Sequence, residues 1–373
     1  MKCLVVGSGI SGATAARLIA DAGHEVELIE KKSHIGGNCF DYKDEHGITI
    51  HEYGSHIFHT SNKTVWEFLE RFTDFNTYMH KVVAIIDGIA TTIPFNFNTV
   101  YDVFPHGLSE KIELELLKKF KYGSKIPIMQ FVSQDNEILS FLAQYIYDNV
   151  FLNYTRKQWG IDPSKTDGSI TARVPILLNK DCRYFQDMYQ GIPIGGYTKM
   201  IEKIIDHENI HIHLNTDYST IDPDRFDHIF YTGPIDELAE YKYGQLPYRS
   251  VHFKFEYYNT EHYQCNSVVN YPNNYDFTRI HEYKYYLNEM SDVTVIAKEY
   301  PEQFEIGKNE RYYPIINDQT KQLYEKYSQY VKSVHPQIHL LGRLGDYLYY
   351  DMDKSIERAM NVVSSAIDSS KRE

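Results

Sequence analysis

Val5-Val6-Gly7-Ser8-Gly9-Ile10-Ser11-Gly12 decides how the rest of the chain reads. The apolar run Cys3–Val6 enters it as a strand, and the pattern through Ala16 and Leu18 to Ala22-Gly23 leaves it as a helix. A second strand, Val26 to Ile29, ends on Glu30. Strand, G-x-G-x-x-G turn, helix and following acid together form a dinucleotide-binding fingerprint. Gly7 makes the tight turn, Gly9 lets a pyrophosphate approach the backbone, and Gly12 lets the helix pack on the strand. The helix N-terminus faces the phosphates, and Glu30 can accept from a ribose hydroxyl.

Just downstream, Gly36-Gly37 in the run Lys31 to Asn38 lets backbone lie against an extended cofactor. That pair favours a flavoprotein over a plain nicotinamide dehydrogenase, with FAD as the expected cofactor. The 373 residues leave room for two or three domains. Acids outnumber bases 51 to 38, a net charge of −13 spread along the chain. That balance argues against a nucleic-acid surface, while a local basic pocket for an anionic substrate stays possible. No run approaches the ~20 apolar residues of a membrane helix. A strand beginning at Lys2 stands where a secretory signal would be needed. Cys3, Cys39, Cys182 and Cys265 lack C-x-x-C spacing, so neither zinc nor a disulfide framework is expected. The chain reads as a soluble, reduced, cytoplasmic protein.

His56 and His59 stand three apart with no suitable third ligand nearby, so no metal site is expected. Packing or hydrogen bonding beside the cofactor is the better reading for both. Asn62 or Ser61 can cap the helix that follows. Residues 82–93 read as a hairpin turning at Asp87-Gly88. From about Thr99 the period is helical: Leu108, Ile112, Leu116 and Phe120 share a face, as do Ile138, Leu139, Leu142 and Ile146. In Tyr154-Thr155-Arg156-Lys157-Gln158-Trp159-Gly160, Tyr154 and Trp159 offer flat surfaces for a base beside cations; Trp159 could equally fill a core. Asp162 to Val174 reads as a loop whose Arg173 suits a diphosphate clamp, or is a plain surface arginine. A later β region carries Asn270 and Arg279 on strands. A strand from Ile338 to Leu341, the glycine-bearing turn Gly342 to Met352 and a final helix from Ser355 to Ala366 repeat the opening architecture.

Taken together, these segments resemble the bacterial UDP-galactopyranose mutases nearly end to end. The runs that carry the resemblance are Val6–Gly12, His34–Asn38, Gly54–Thr60, Tyr154–Gly160, Arg173-Val174-Pro175, Arg183–Gln186, Gln190–Pro193 and Gly342–Met352. Ser55 departs from the proline or alanine more usual in that family. The resemblance implies a mixed α/β (α+β) fold with an FAD-binding Rossmann-like domain from residues 1–78, 194–240 and 316–373. It adds a helical domain from 98–193, with a mobile substrate loop at about 162–180, and an antiparallel sheet domain from 79–97 and 241–315. The implied reaction is reversible isomerisation of UDP-galactopyranose to UDP-galactofuranose for cell-surface polysaccharide. It would run by covalent catalysis through N5 of reduced FAD, with no net redox change.

Position by position, the resemblance makes Arg173, Arg279 and His59 catalytic, the two arginines holding the diphosphate. Tyr154, Trp159 and Asn270 would surround uridine, with Tyr184, Tyr313 and Tyr349 also on the substrate. Gly7, Gly9, Ser11, Gly12, Glu30, Lys31, Gly37, Asn38, His56, Ile57, Arg343, Tyr349, Asp351 and Met352 would contact the cofactor. A UDP-sugar substrate, an external reductant and a homodimer follow as expected partners. Two alternatives remain at this level: a related substrate such as UDP-N-acetylgalactosamine, or a flavin oxidase of the amine-oxidase type.

Overall fold

A parallel sheet forms around Lys2–Val6, whose inner residues Cys3, Leu4 and Val5 are almost wholly buried. The computed structural model describes residues 1–127, 136–160, 175–273 and 275–370, with side chains to 367. Across this sheet the strands run Ile210–His213, Glu25–Ile29, Lys2–Val6, His228–Tyr231 and Ile338–Leu340, all parallel. Val6 lies between Ile29 and Tyr231 in register. Strand order reverses there, which in such sheets opens a crevice beyond the strands' carboxyl ends. The turn Gly7–Gly12 stands at that point.

Helix Ile10–Asp21 packs against the final helix Met352–Ser370. Its alanines Ala13, Ala15, Ala16 and Ala20 are buried, so the helix approaches its neighbours closely. At Gly12 the approach is extreme: a Cβ would lie 1.9 Å from the Gly7 carbonyl oxygen. Gly7 itself has φ +95°, a region that favours glycine.

Met1–Tyr78, Asp187–Tyr248 and Arg311–Glu373 make up one compact unit; Met79–Gln186 and Arg249–Glu310 make up a second. The first resumes at Asp187 rather than at 194 because Tyr189–Gly191 pairs antiparallel with Phe58–Thr60. Its helix Lys63–Glu70 is capped by Asn62, whose Oδ1 accepts from the Thr64 and Val65 N–H groups.

In the second unit the strands run Tyr248–Tyr258, Thr294–Gln303, Arg279–Glu282, Val268–Asn270, Val82–Ile86 and Ile89–Ile93. Every neighbouring pair is antiparallel except Val268–Asn270 on Val82–Ile86, so the expected antiparallel sheet is in fact mixed. The expected hairpin turns with φ +49° at Asp87 and +79° at Gly88, the left-handed pair that matches strand twist. Helices Phe97–Val103, His106–Lys119 and Glu137–Ile146 close over Phe104, Ile112, Leu116, Leu139, Leu142 and Ile146. Beyond Asn153–Trp159, the described residues 175–186 hold a short strand and turns rather than the helix expected up to residue 193.

Gly12→Ala is expected to cost more than the roughly 1–3 kcal/mol of ordinary overpacking, because the blocking atom is backbone. Urea unfolding should show that loss together with reduced cofactor loading. Gly107→Ala, at a helical site with nothing within 4 Å of the new Cβ, should instead stabilise by about 0.5–1 kcal/mol.

Candidate functional site

In the first unit the glycine turn is held by Glu30. The Ser8 N–H and Oγ–H both donate to Glu30 Oε2, at 2.9 and 2.8 Å, and the Lys32 N–H donates to Oε1 at 3.0 Å. Glu30 is buried, so its carboxylate shapes the loop as well as standing where a ribose acid is expected. Gly9 and Gly36 form a parallel bridge, and a Cβ on Gly37 would lie 3.0 Å from the Gly9 Cα. The space along this seam exists only because side chains are missing. Asn38 sits in the 3-10 turn Gly37–Cys39, and Lys31 is exposed. From the chain's other end, Gly342 (φ +82°) brings the helix Gly342–Gly345 over Ser11 and Thr232: its Cβ would be 3.4 Å from Ser11 Oγ. A backbone cradle with buried acid and facing glycines fits a dinucleotide.

Nearby elements of the same unit place the other cofactor candidates. Arg343 donates to the Tyr350 carbonyl at 2.9 Å and lies 5.0 Å over the Tyr349 ring and 5.9 Å over Tyr313. Tyr313 and Tyr349 meet edge to face at 5.2 Å. Met352 takes the Cys39 S–H at 3.6 Å, and the exposed Asp351 offers its carbonyl to the Ser355 N–H. Ile57 lies between His56, whose Nδ1 is 2.8 Å from the Gly54 carbonyl oxygen, and the strand Phe58–Thr60. On that strand His59 Nδ1 donates to Asp187 Oδ2 at 2.8 Å, and Ser61 Oγ donates to Asp187 Oδ1 at 2.6 Å. The carboxylate fixes the proton on Nδ1 and so the orientation of the ring. Asp187 went unnoticed in the sequence because it lies 128 residues from its partner.

In the second unit Arg279 faces Glu299 across the sheet and donates Nε–H to its Oε2 at 2.7 Å. Glu299 is 2% exposed and also accepts from His281 Nε2 (3.1 Å) and Thr278 Oγ1 (3.1 Å). Burial pushes the Glu299 carboxyl up, but the Arg279 guanidinium and the hydrogen bond from His281 together outweigh it and the pKa falls to about 2. Burial drives His281 the other way, toward the neutral ring, despite the adjoining carboxylate. Neighbouring Asn270 pairs with Arg279 in register and is 9% exposed; its Oδ1 is buried with no hydrogen-bond partner among the described residues. A buried amide oxygen of this kind can take a donor from an ordered water or from a ligand.

Helix Asn153–Trp159 carries Tyr154, half-buried, and Trp159, 8% exposed. Trp159 is thus largely core, and Tyr154 presents more surface. Arg249 closes the helix C-terminus by donating Nε–H to the Gln158 carbonyl (3.0 Å) and Nη2–H to the Lys157 carbonyl (3.1 Å). Tyr184 donates its N–H to the His80 carbonyl at 2.8 Å, its ring 5.7 Å from His80. Arg173 lies outside the described residues, as does most of the expected loop around it. Among the described residues no group of His, Cys, Asp and Glu could hold a metal ion, and no helix is long and apolar enough to cross a membrane.

Residues 149–349, more than half the chain, match the family described as UDP-galactopyranose mutase. The chain belongs to the UDP-galactopyranose mutase family. Residues 5–72 match the NAD(P)-binding Rossmann-like domain, the stretch that holds the glycine turn and Glu30. Among relatives, a probable UDP-galactopyranose mutase of Klebsiella pneumoniae is 36% identical over 98% of this chain and 94% of its own. A dTDP-fucopyranose mutase of Escherichia coli is 34% identical, covering 99% of each chain. The crystal structure of a reduced UDP-galactopyranose mutase shares the fold, with TM-score 0.75 at 16% identity over 98% of this chain and 95% of that one.

Glu299 has a folded pKa near 2 against an ordinary 4.5. A depressed carboxylate stabilises the folded state above its unfolded pKa and loses that contribution as pH falls. Urea unfolding from pH 5 down to about 2 should therefore show wild type losing on the order of 3 kcal/mol relative to Glu299→Gln. Parallel pH profiles for the two proteins would refute the assignment.

Proposed function

We propose that the protein interconverts UDP-galactopyranose and UDP-galactofuranose, with FAD, reduced by an external donor, in the glycine cradle. What carries the reading is the joint presence in one family member of that cradle and of a strand arginine, Arg279, locked on a buried acid. FAD is favoured over a nicotinamide because the Gly9–Gly36–Gly37 seam extends the cradle beyond the first turn. When bound and reduced, the flavin supplies a nucleophile for the sugar's anomeric carbon.

The chain's own residues then have defined tasks. Negative charge grows on the β-phosphate as the sugar bond breaks, and a preoriented guanidinium stabilises it more in the transition state than in the ground state. Glu299 fixes the rotation of Arg279 through Nε, as a directional phosphate contact requires. Arg173 is proposed as the second cation. Asn270 offers its buried amide to the nucleobase, and Tyr154 offers a face for stacking. His59, held through Nδ1 by Asp187, keeps one ring orientation throughout.

A second reading has its own support: the Escherichia coli relative covers this chain as fully as the Klebsiella one, and it is named for a dTDP-sugar. The glycone is therefore open between galactose and a deoxysugar, and one or two pocket contacts decide such preferences.

Dithionite-reduced protein incubated separately with UDP-galactopyranose, UDP-N-acetylgalactosamine and dTDP-fucopyranose should convert the first, with isomers separated by chromatography. Conversion of dTDP-fucopyranose alone would favour the second reading, and substrate-dependent oxygen uptake without isomerisation would indicate an oxidase. Arg279→Ala should lower kcat/KM by about 10²–10³ while bound flavin, read by absorbance, stays at the wild-type level. Near-normal turnover would remove Arg279 from the proposed role.

A further inference from the structure

Lys157 is not a surface cation. Its Nζ donates to three backbone carbonyls, Tyr271 (2.6 Å), Phe277 (2.9 Å) and Tyr275 (3.2 Å), which matches the three N–H donors of an ammonium. Burial draws its pKa down to about 8, opposed by Asp276, so the side chain remains an ammonium at neutral pH. All three carbonyls belong to the connection between Val268–Asn270 and Arg279–Glu282. That connection is closed at its base by the Tyr271 N–H donating to the Thr278 carbonyl at 2.8 Å, immediately beyond the facing pair Asn270 and Arg279.

A second tie runs parallel to the first. Asn153 Nδ2 donates to Asn273 Oδ1 at 2.7 Å, and Asn273 Nδ2 donates to the Asn149 carbonyl at 3.0 Å. Asn153 and Lys157 are one helical turn apart on Asn153–Trp159, which also carries Tyr154 and Trp159. The helix and the hairpin are thus pinned at two points about a turn apart, which fixes both rotation and sliding between them.

We infer that Lys157, seconded by Asn273, is a positioning residue for nucleotide binding: it holds the helix bearing Tyr154 in register with the hairpin bearing Asn270. This rests on the proposed function only in taking the ligand to be a nucleoside diphosphate. Arg279 keeps its separate anchor on Glu299, so losing the clamp falls on binding of the nucleoside end rather than on stabilisation of the departing phosphate.

Lys157→Met preserves the length and apolar stem of the side chain and removes every donor. Titration of the flavin-loaded protein with UDP, followed by calorimetry, should give a Kd raised by about tenfold or more, the range for loss of a charge-assisted hydrogen bond. KM for the nucleotide sugar should rise in step, with kcat within about twofold of wild type. Lys157→Arg, which retains charge and donors, should recover part of the affinity. Asn273→Ala, a milder change that also covers the case of a misfolded Lys157→Met, should raise Kd by about threefold. Amide exchange in 271–280 should quicken in both variants. Wild-type UDP affinity in a folded Lys157→Met, or in Asn273→Ala if Lys157→Met does not fold, overturns the inference, as does a fall in kcat with KM unchanged. If wild type itself binds no UDP, the proposed function fails first, and unchanged exchange in 271–280 would then overturn the clamp on its own.

Discussion

The contact on which the fold and the cofactor seat both depend is the approach of helix Ile10–Asp21 to the backbone of its own leading turn. A single Cβ at Gly12 would occupy the Gly7 carbonyl. That closeness aims the helix N-terminus across the switch point of the sheet, where unpaired N–H groups and the helix dipole favour a phosphate. Glu30 holds the same turn from beneath through Ser8, and Thr232 Oγ1 donates to the Val6 carbonyl beside Gly7. At the far end of the chain, Gly345 could carry a Cβ only 2.9 Å from the Tyr231 carbonyl. Two segments more than three hundred residues apart in numbering therefore crowd one small region of backbone, and both do so by omitting side chains.

An acidic protein that handles an acidic ligand must keep its useful cations from being neutralised at random. The second unit shows two ways of doing this. Lys157 and Arg249 are held by neutral carbonyls, which orient the cation and leave its net charge in place. Arg279 is held by a carboxylate, which gives up net charge in return for a fixed orientation. With His281 driven toward its neutral form by burial, the Arg279–Glu299 pair carries one charge of each sign and no surplus. An ion pair with one partner buried contributes little net stability once desolvation is counted, and what it supplies here is orientation of the guanidinium.

Because the residues that matter most locally are glycines and caps, much of the architecture can be read without coordinates. The turn Gly7–Gly12, the Asp87-Gly88 hairpin and the amphipathic helices over Ile112 and Leu139 are short-range patterns whose physics is contained within about a dozen residues. Asn62 against Ser61 as a cap was already a closer matter: both are good caps, and Ser61 is drawn off by Asp187. Within the second unit's sheet, the parallel pairing of Val268–Asn270 on Val82–Ile86 could not be anticipated, since strand neighbours depend on how the sheet assembles and not on alternation.

What the amino-acid sequence determined by itself was therefore the dinucleotide turn, the kinds of elements and the family, all of which reside in contiguous runs. The tertiary structure alone decided which acid steadies which cation. Glu299 lies 20 residues from Arg279, Asp187 lies 128 from His59, and the carbonyls that receive Lys157 lie 114 to 120 residues away. A side chain's partner at such separations is chosen by strand register and by which helix lies over which loop. Composition and spacing carry no trace of either.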